Sequence, residues 1–178
     1  FEGIIGEGVA ATYSPVLGWL GSLTFFQGGD GYWFKMYDDV DFVFSSPSGS
    51  ELVRSDAYVE IKSSPDYLSL MQSMDQAFYF VEDLDIQNID VNLSENIWIL
   101  SYCNKQFTGG RKWSGPYTDI PAFGYDGTDE TIGYCEEGGL VSFMLYNEAT
   151  DEESKLYGID VTWSNNELVM AGILTDIN

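Results

Sequence analysis

Gln76-Ala-Phe-Tyr-Phe-Val81, Ile97-Trp-Ile-Leu-Ser-Tyr102, Leu140-Val-Ser-Phe-Met-Leu-Tyr146 and Leu156-Tyr-Gly-Ile-Asp-Val-Thr-Trp163 decide the fold class. Each run is short, rich in aromatic and β-branched residues, and bounded by Gly, Asn, Asp or Ser, which is the pattern of a strand closed by turns. Tyr125-Asp-Gly-Thr128 and Glu136-Glu-Gly-Gly139 supply turn chemistry between them. No amphipathic run reaches helical length; Tyr67-Leu-Ser-Leu-Met71 suits one helical turn or a strand equally. The chain therefore reads as all-β, an antiparallel β-sandwich.

Upstream, Val16-Leu-Gly-Trp-Leu-Gly-Ser-Leu-Thr-Phe-Phe26 is apolar and aromatic, Gln27-Gly-Gly-Asp-Gly31 is a glycine-dense turn, and Tyr32-Trp-Phe-Lys-Met36 alternates. Asp41-Phe-Val-Phe44 resumes an extended pattern before Ser45-Ser-Pro-Ser-Gly-Ser50, a linker composition. The organisation expected is a small partial β-module over 1–46, a linker over 47–59 and an Ig-like β-sandwich over 60–178. Trp19, Tyr32, Trp33, Phe78, Phe80, Trp98, Phe143 and Trp163 are the expected core.

Composition narrows function. Among 178 residues, 29 Asp and Glu face 7 Lys and Arg, there is no His, and the formal charge is −22. Such a surface opposes nucleic acid and anionic membranes, both of which recruit cations. The absence of His removes Ser-His-Asp and Cys-His catalytic units and His-containing zinc sites. High charge alone would suggest disorder, but 44% apolar and 16% aromatic residues predict a folded core. No apolar run approaches the roughly 18 residues of a membrane span, so no membrane insertion is expected. Cys103 and Cys135 allow one pairing, and a disulfide there would stabilise by about 3–4 kcal/mol on the chain-entropy model. Two buried thiols are the alternative, and the sequence leaves both open.

Three kinds of chemistry remain. Paired carboxylates at about 5–10 Å could run a glycosidase, but among so many acids such pairs arise by chance, and no nucleophile elbow is present, so the chain reads as no enzyme. Hard-oxygen clusters at Asp38, Asp39 and Asp41, at Glu82, Asp83 and Asp85, and at Asp126, Asp129 and Glu130 would suit Ca²⁺, with Asp83, Asp85, Asp126, Asp129 and Glu130 the ligands expected. Asp83 and Asp85 share one strand face, where they repel unless a cation intervenes. A solvated acidic surface with no cofactor is the simpler reading. Trp113 and Tyr117, flanking Gly115-Pro116, are the best-placed stacking platform for a glycan.

Two segments resemble known modules. Gly6-Glu-Gly-Val-Ala-Ala11, Leu17-Gly-Trp-Leu-Gly-Ser-Leu-Thr24 and Gly29-Asp-Gly-Tyr-Trp-Phe-Lys35 follow a GW-x-GSL…G-x-GYW-x-K pattern. It resembles a module of large surface and virion proteins of marine bacteria and their phages. Gln72-Ser-Met-Asp-Gln-Ala-Phe-Tyr-Phe80, Ile97–Tyr102 and Gly109-Gly-Arg-Lys-Trp-Ser-Gly-Pro-Tyr-Thr-Asp-Ile-Pro-Ala-Phe-Gly-Tyr-Asp-Gly127 are similar to the module that follows it in those proteins. The resemblance implies tandem β-domains on an extracellular or virion surface, with protein partners from a larger assembly and no catalytic residues. It also implies a further strand ahead of the first module, so Phe1 is expected not to be the biological start: either it follows a cleavage point, or a partner supplies the missing strand. The function expected is non-catalytic: a structural or adhesive component. A carbohydrate-binding module of a secreted protein is the alternative.

Overall fold

A computed structural model describes residues 1–41, 43, 70–87 and 96–177. Its strands are β1 (Gly3–Ile5), β2 (Ala10–Ser14), β3 (Gly18–Leu20), β4 (Trp33–Lys35), β5 (Gln76–Asp85), β6 (Ile97–Cys103), β7 (Gln106–Lys112), β8 (Thr118–Phe123), β9 (Leu140–Asn147), β10 (Glu152–Thr162) and β11 (Leu168–Thr175). One 3-10 turn covers Asp129–Thr131, and the described residues contain no α-helix. The fold is all-β, as the strand patterns predict. The expected linker over 47–59 and residues 67–69 of the ambiguous apolar stretch lie outside the described residues.

Two sheets form, a four-stranded one ordered β3-β2-β1-β4 and a seven-stranded one ordered β7-β6-β9-β10-β11-β5-β8. All neighbours are antiparallel except β11 and β5, which run parallel from Leu168↔Phe78 to Thr175↔Asp85. That pair departs from the purely antiparallel expectation, because the last strand returns to the first of the large sheet as well as to its hairpin partner. The large sheet rolls until its edges nearly meet: Ser101 Oγ on β6 donates to the Pro121 carbonyl on β8 at 2.7 Å, and Arg111 Nε on β7 donates to the Asp119 carbonyl on β8 at 2.5 Å. A nearly closed barrel or sandwich results, within which Tyr79, Ile97, Ile99, Phe143, Leu145, Trp163 and Leu174 form the main core.

β5 explains how the small sheet attaches. Ala77, Tyr79 and Val81 point into the barrel, whereas Phe78 and Phe80 point out of it, and all five are fully buried. The outward pair is covered by Ile5, Ala10 and Leu20 of the small sheet together with Leu168. A strand covered on both faces reads as an unbroken apolar run, which is the character of Ala77–Val81. Polar bonds fix the same seam. Buried Gln76 donates through Nε2 to the Gly6 carbonyl at 3.0 Å and accepts the Gly8 N–H at 3.3 Å. Gly8 closes the β1–β2 turn at φ +68, where a side chain would be strained. At the opposite end Lys35 Nζ bridges Glu2 at 3.0 Å and Glu167 at 2.8 Å. The small sheet thus shares a buried cluster with the outer face of the large one.

Candidate interaction surface

Three of the aromatic residues expected in the core lie elsewhere. Trp19 is 49% and Trp33 44% exposed, and Tyr32 is half-buried; Phe78, Phe80, Trp98, Phe143 and Trp163 are buried. For Trp19 the reason is strand parity, whereas Trp33 pairs with Ile5 on the barrel-facing side and is exposed on the edge strand β4, and Tyr32 precedes that strand. In β1 to β3, Gly3, Ile5, Ala10 and Leu20 face the barrel, so Ile4, Ala11, Tyr13 and Trp19 take the opposite face. Phe34, paired with Ile4, shares that outer face.

The expected stacking platform does not form. Trp113 is only 7% exposed and belongs to the barrel core, its indole packed away from solvent, while Tyr117 is half-buried and donates its hydroxyl to Glu82 at 3.3 Å. The cause is local: Trp113 N–H bonds the Ile97 carbonyl, so the residue closes the β6–β7 ladder rather than rising on a loop. Glycine at 115 (φ +105) and Tyr117 (φ +65) then reverse the chain beyond it.

Among the described residues no group of three or more Asp, Glu, Cys or His side chains converges as metal ligands would. Asp126 is engaged otherwise. Its carboxylate accepts the hydroxyls of Thr128 and Thr131 at 2.7 Å each, the Thr128 N–H at 3.1 Å and the Met74 N–H at 3.2 Å. These donors, led by the Thr131 hydroxyl and then that of Thr128, hold its carboxyl well below the usual carboxylate range. Asp129 and Glu130 stand exposed on the following 3-10 turn, and Asp83 and Asp85 are exposed on one face of β5. Cys103 and Cys135 are joined by a disulfide that ties the end of β6 to the segment bridged to Gly124 beside β8.

A charged cluster that spacing did not reveal sits at the seam. Asp119, 1% exposed, accepts Arg111 Nη2 at 3.2 Å and the Ser22 hydroxyl at 2.8 Å, and the same Nη2 donates to the Gly8 carbonyl at 2.7 Å. Burial pushes the Asp119 carboxyl up against the opposing pull of Arg111 and Ser22. Every partner is a protein group, and the cluster locks the small sheet to β7 and β8.

The distinctive open feature is an aromatic groove on the outer face of the small sheet. It encloses about 550 Å³ over a floor of Ile4 and Ala11, with Phe1, Trp19, Leu23, Phe25 and Phe26 as walls. The rings brace one another: Phe1 lies 6.0 Å from Trp19, Tyr13 lies 5.4 Å from Trp19, and Phe26 lies 4.9 Å from Tyr32, with interplanar angles of 64°, 63° and 75°. Edge-to-face contacts of this kind stabilise the cluster and leave no coplanar row of rings. Within the small sheet β3 and β4 are also edge strands. No family model, curated protein or solved structure matches the chain. No helix of the described residues is long and apolar enough to cross a membrane.

Proposed function

We propose that the protein is a non-catalytic structural or interaction component of an extracellular or virion surface, and that it meets its partners through the outer face of the N-terminal sheet. One observation carries this reading: Trp19, Phe25, Phe26 and Tyr13 are each more than two-fifths exposed on one side of the molecule, around a groove of about 550 Å³. Contiguous exposed apolar surface is uncommon on proteins that act alone and marks contact sites. The acidic surface supports the same reading by keeping such a protein soluble and limiting indiscriminate association. Catalysis finds less support, since the buried Asp119 is paired with Arg111 and the half-buried Asp126 is held by Thr128, Thr131 and the Met74 N–H. A carbohydrate-binding module is weakened by the burial of Trp113 and by the tilted rings of the groove.

Hydroxyl-radical footprinting tests the proposal. Trp19 and Phe26 should oxidise readily in the isolated protein and be protected in the native surface material that contains it. Equal oxidation in both states refutes the contact surface, and turnover of a polysaccharide or ester substrate refutes the non-catalytic reading.

A further inference from the structure

The groove also constrains what enters it, an inference that rests on reading the face as a contact surface. Its floor and walls are carbon-rich, so the occupant must offer apolar side chains, and the volume is enough for a few of them. Charge decides the rest. Residues 1–41 carry Glu2, Glu7, Asp30, Asp38, Asp39 and Asp41 against one cation, Lys35. Lys35 is already held between Glu2 and Glu167 and has no charge left to offer an anion. Asp30 stands exposed in the turn joining the groove residue Phe26 to Tyr32.

A second copy of the chain is a poor occupant, because it would bring a charge of −22 against another −22. A flat polysaccharide fares no better, since the rings meet at 43–75° and present no single plane. We propose that the groove takes a cationic, apolar-tipped peptide segment of a partner protein. Its Leu-like or aromatic side chains would fill the space over Ile4 and Ala11, and its Lys or Arg groups would lie against the exposed rings and the carboxylate of Asp30. Cations over such rings are attracted by their faces as well as by the acids. Opposite charge also speeds encounter, which suits assembly on a crowded surface.

The test is an NMR titration of the full chain with four probes: a peptide alternating Lys and Leu, one alternating Glu and Leu, one alternating Lys and Ser, and cellohexaose. The Lys-Leu peptide should move the Trp19 indole and the amides of residues 1–26 saturably. It should bind at least about tenfold tighter than either control peptide and weaken as NaCl rises to about 0.5 M. Trp19→Ala and Phe26→Ala, both at exposed side chains, should each abolish those shifts while leaving the barrel resonances in place. Equal binding of the Glu-Leu peptide overturns the charge requirement and leaves the contact-surface reading standing. Equal binding of the Lys-Ser peptide shows surface attraction only and overturns the groove as the site. Preferential shifts with cellohexaose overturn the proposal in favour of a glycan. No shift with any probe, or self-association abolished by Trp19→Ala, overturns the peptide assignment as well.

Discussion

Replacing Arg111 by Met removes the cation at the seam while keeping the length and apolar stem of the side chain. Three bonds go with it: to the Asp119 carbonyl at 2.5 Å, the Gly8 carbonyl at 2.7 Å and the Asp119 carboxylate at 3.2 Å. Asp119 stays buried, with the Ser22 hydroxyl as its remaining side-chain partner. Breaking one side of a buried pair costs about 3–5 kcal/mol, because the stranded charge is uncompensated. The magnitude must depend on pH. Asp119 already sits above the ordinary carboxylate range through burial, and losing Arg111 removes the main opposing pull. In the variant the folded-state value therefore lies further above the unfolded one, near ~4. A raised folded value means that the folded state takes up the proton first, so the variant recovers stability relative to the wild type as pH falls toward ~4. Urea unfolding followed by Trp fluorescence at pH 7.5 and at pH 5 measures this. The loss should be about 3–5 kcal/mol at the higher pH and distinctly smaller at the lower. The double variant Arg111→Met/Asp119→Leu should recover most of the loss at pH 7.5, since neither charge is then stranded. Faster amide exchange over residues 6–9 should accompany the single variant, because Gly8 loses its anchor. A loss below about 1 kcal/mol, or one that stays constant across the two pH values, refutes the account of the seam as a desolvated pair.

Removing the disulfide by Cys103→Ala/Cys135→Ala opens a loop of sequence separation 32 and should cost about 3–4 kcal/mol, read as a lower urea midpoint. Gly109→Ala would drive a Cβ into the Pro121 carbonyl where β7 and β8 approach; a loss of about 1–3 kcal/mol is expected, and an unchanged Tm would contradict the closure described. Asp126→Asn should lower Tm at pH 7, since the new amide turns a donor toward the Met74 N–H. The carboxyl is depressed in the folded state, so its stabilisation is complete above the unfolded value near ~4 and fades as pH falls below it. The gap in Tm between variant and wild type should therefore close toward pH 2; a gap independent of pH would assign the loop's stability to other contacts.

Much of the strand inventory is legible in the sequence. Gln76–Val81, Ile97–Tyr102 and Leu140–Tyr146 carry their fold in side chains that suit a pleated, covered surface, and all three lie in strands. The glycine-dense turn before Tyr32 is likewise a turn. Alternation cannot say which face of a strand will be covered, and for that reason the pattern points Trp19 inward when it is exposed; nor can it say which strand ends a sheet, and Trp33 is exposed on the edge strand β4 although it shares the face of Ile5. Trp113 follows the same logic in reverse: Gly115-Pro116 reads as an exposed loop, but the backbone bond to Ile97 fixes the indole inward before the loop begins. The parallel pairing of β5 with β11 joins residues about ninety positions apart, and no local preference encodes it. A sequence separation of 103 likewise hides the contact between Arg111 and Gly8, and so the locking of the two sheets, from any reading of spacing.

The two faces of the small sheet carry different physical burdens, and the difference bears on function. Folding accounts for the inner face: Ile5, Ala10 and Leu20 cover Phe78 and Phe80, and without them β5 would expose two Phe side chains, each a large area of apolar surface. A small antiparallel sheet with one covered face ordinarily alternates apolar inside with polar outside. Here the alternation fails in one direction only. Ile4, Ala11, Trp19 and Phe34 occupy outward positions on the side away from the barrel, and Phe25 and Phe26 extend the surface from a loop free to be polar. Solubility argues against such a surface, and the acidic composition is what offsets it. Polar replacements at Trp19 and Phe26 should accordingly leave the seam bonds of Gln76 and Arg111 intact while removing the groove, which separates the part of the N-terminal sheet that builds the fold from the part that remains available to a partner.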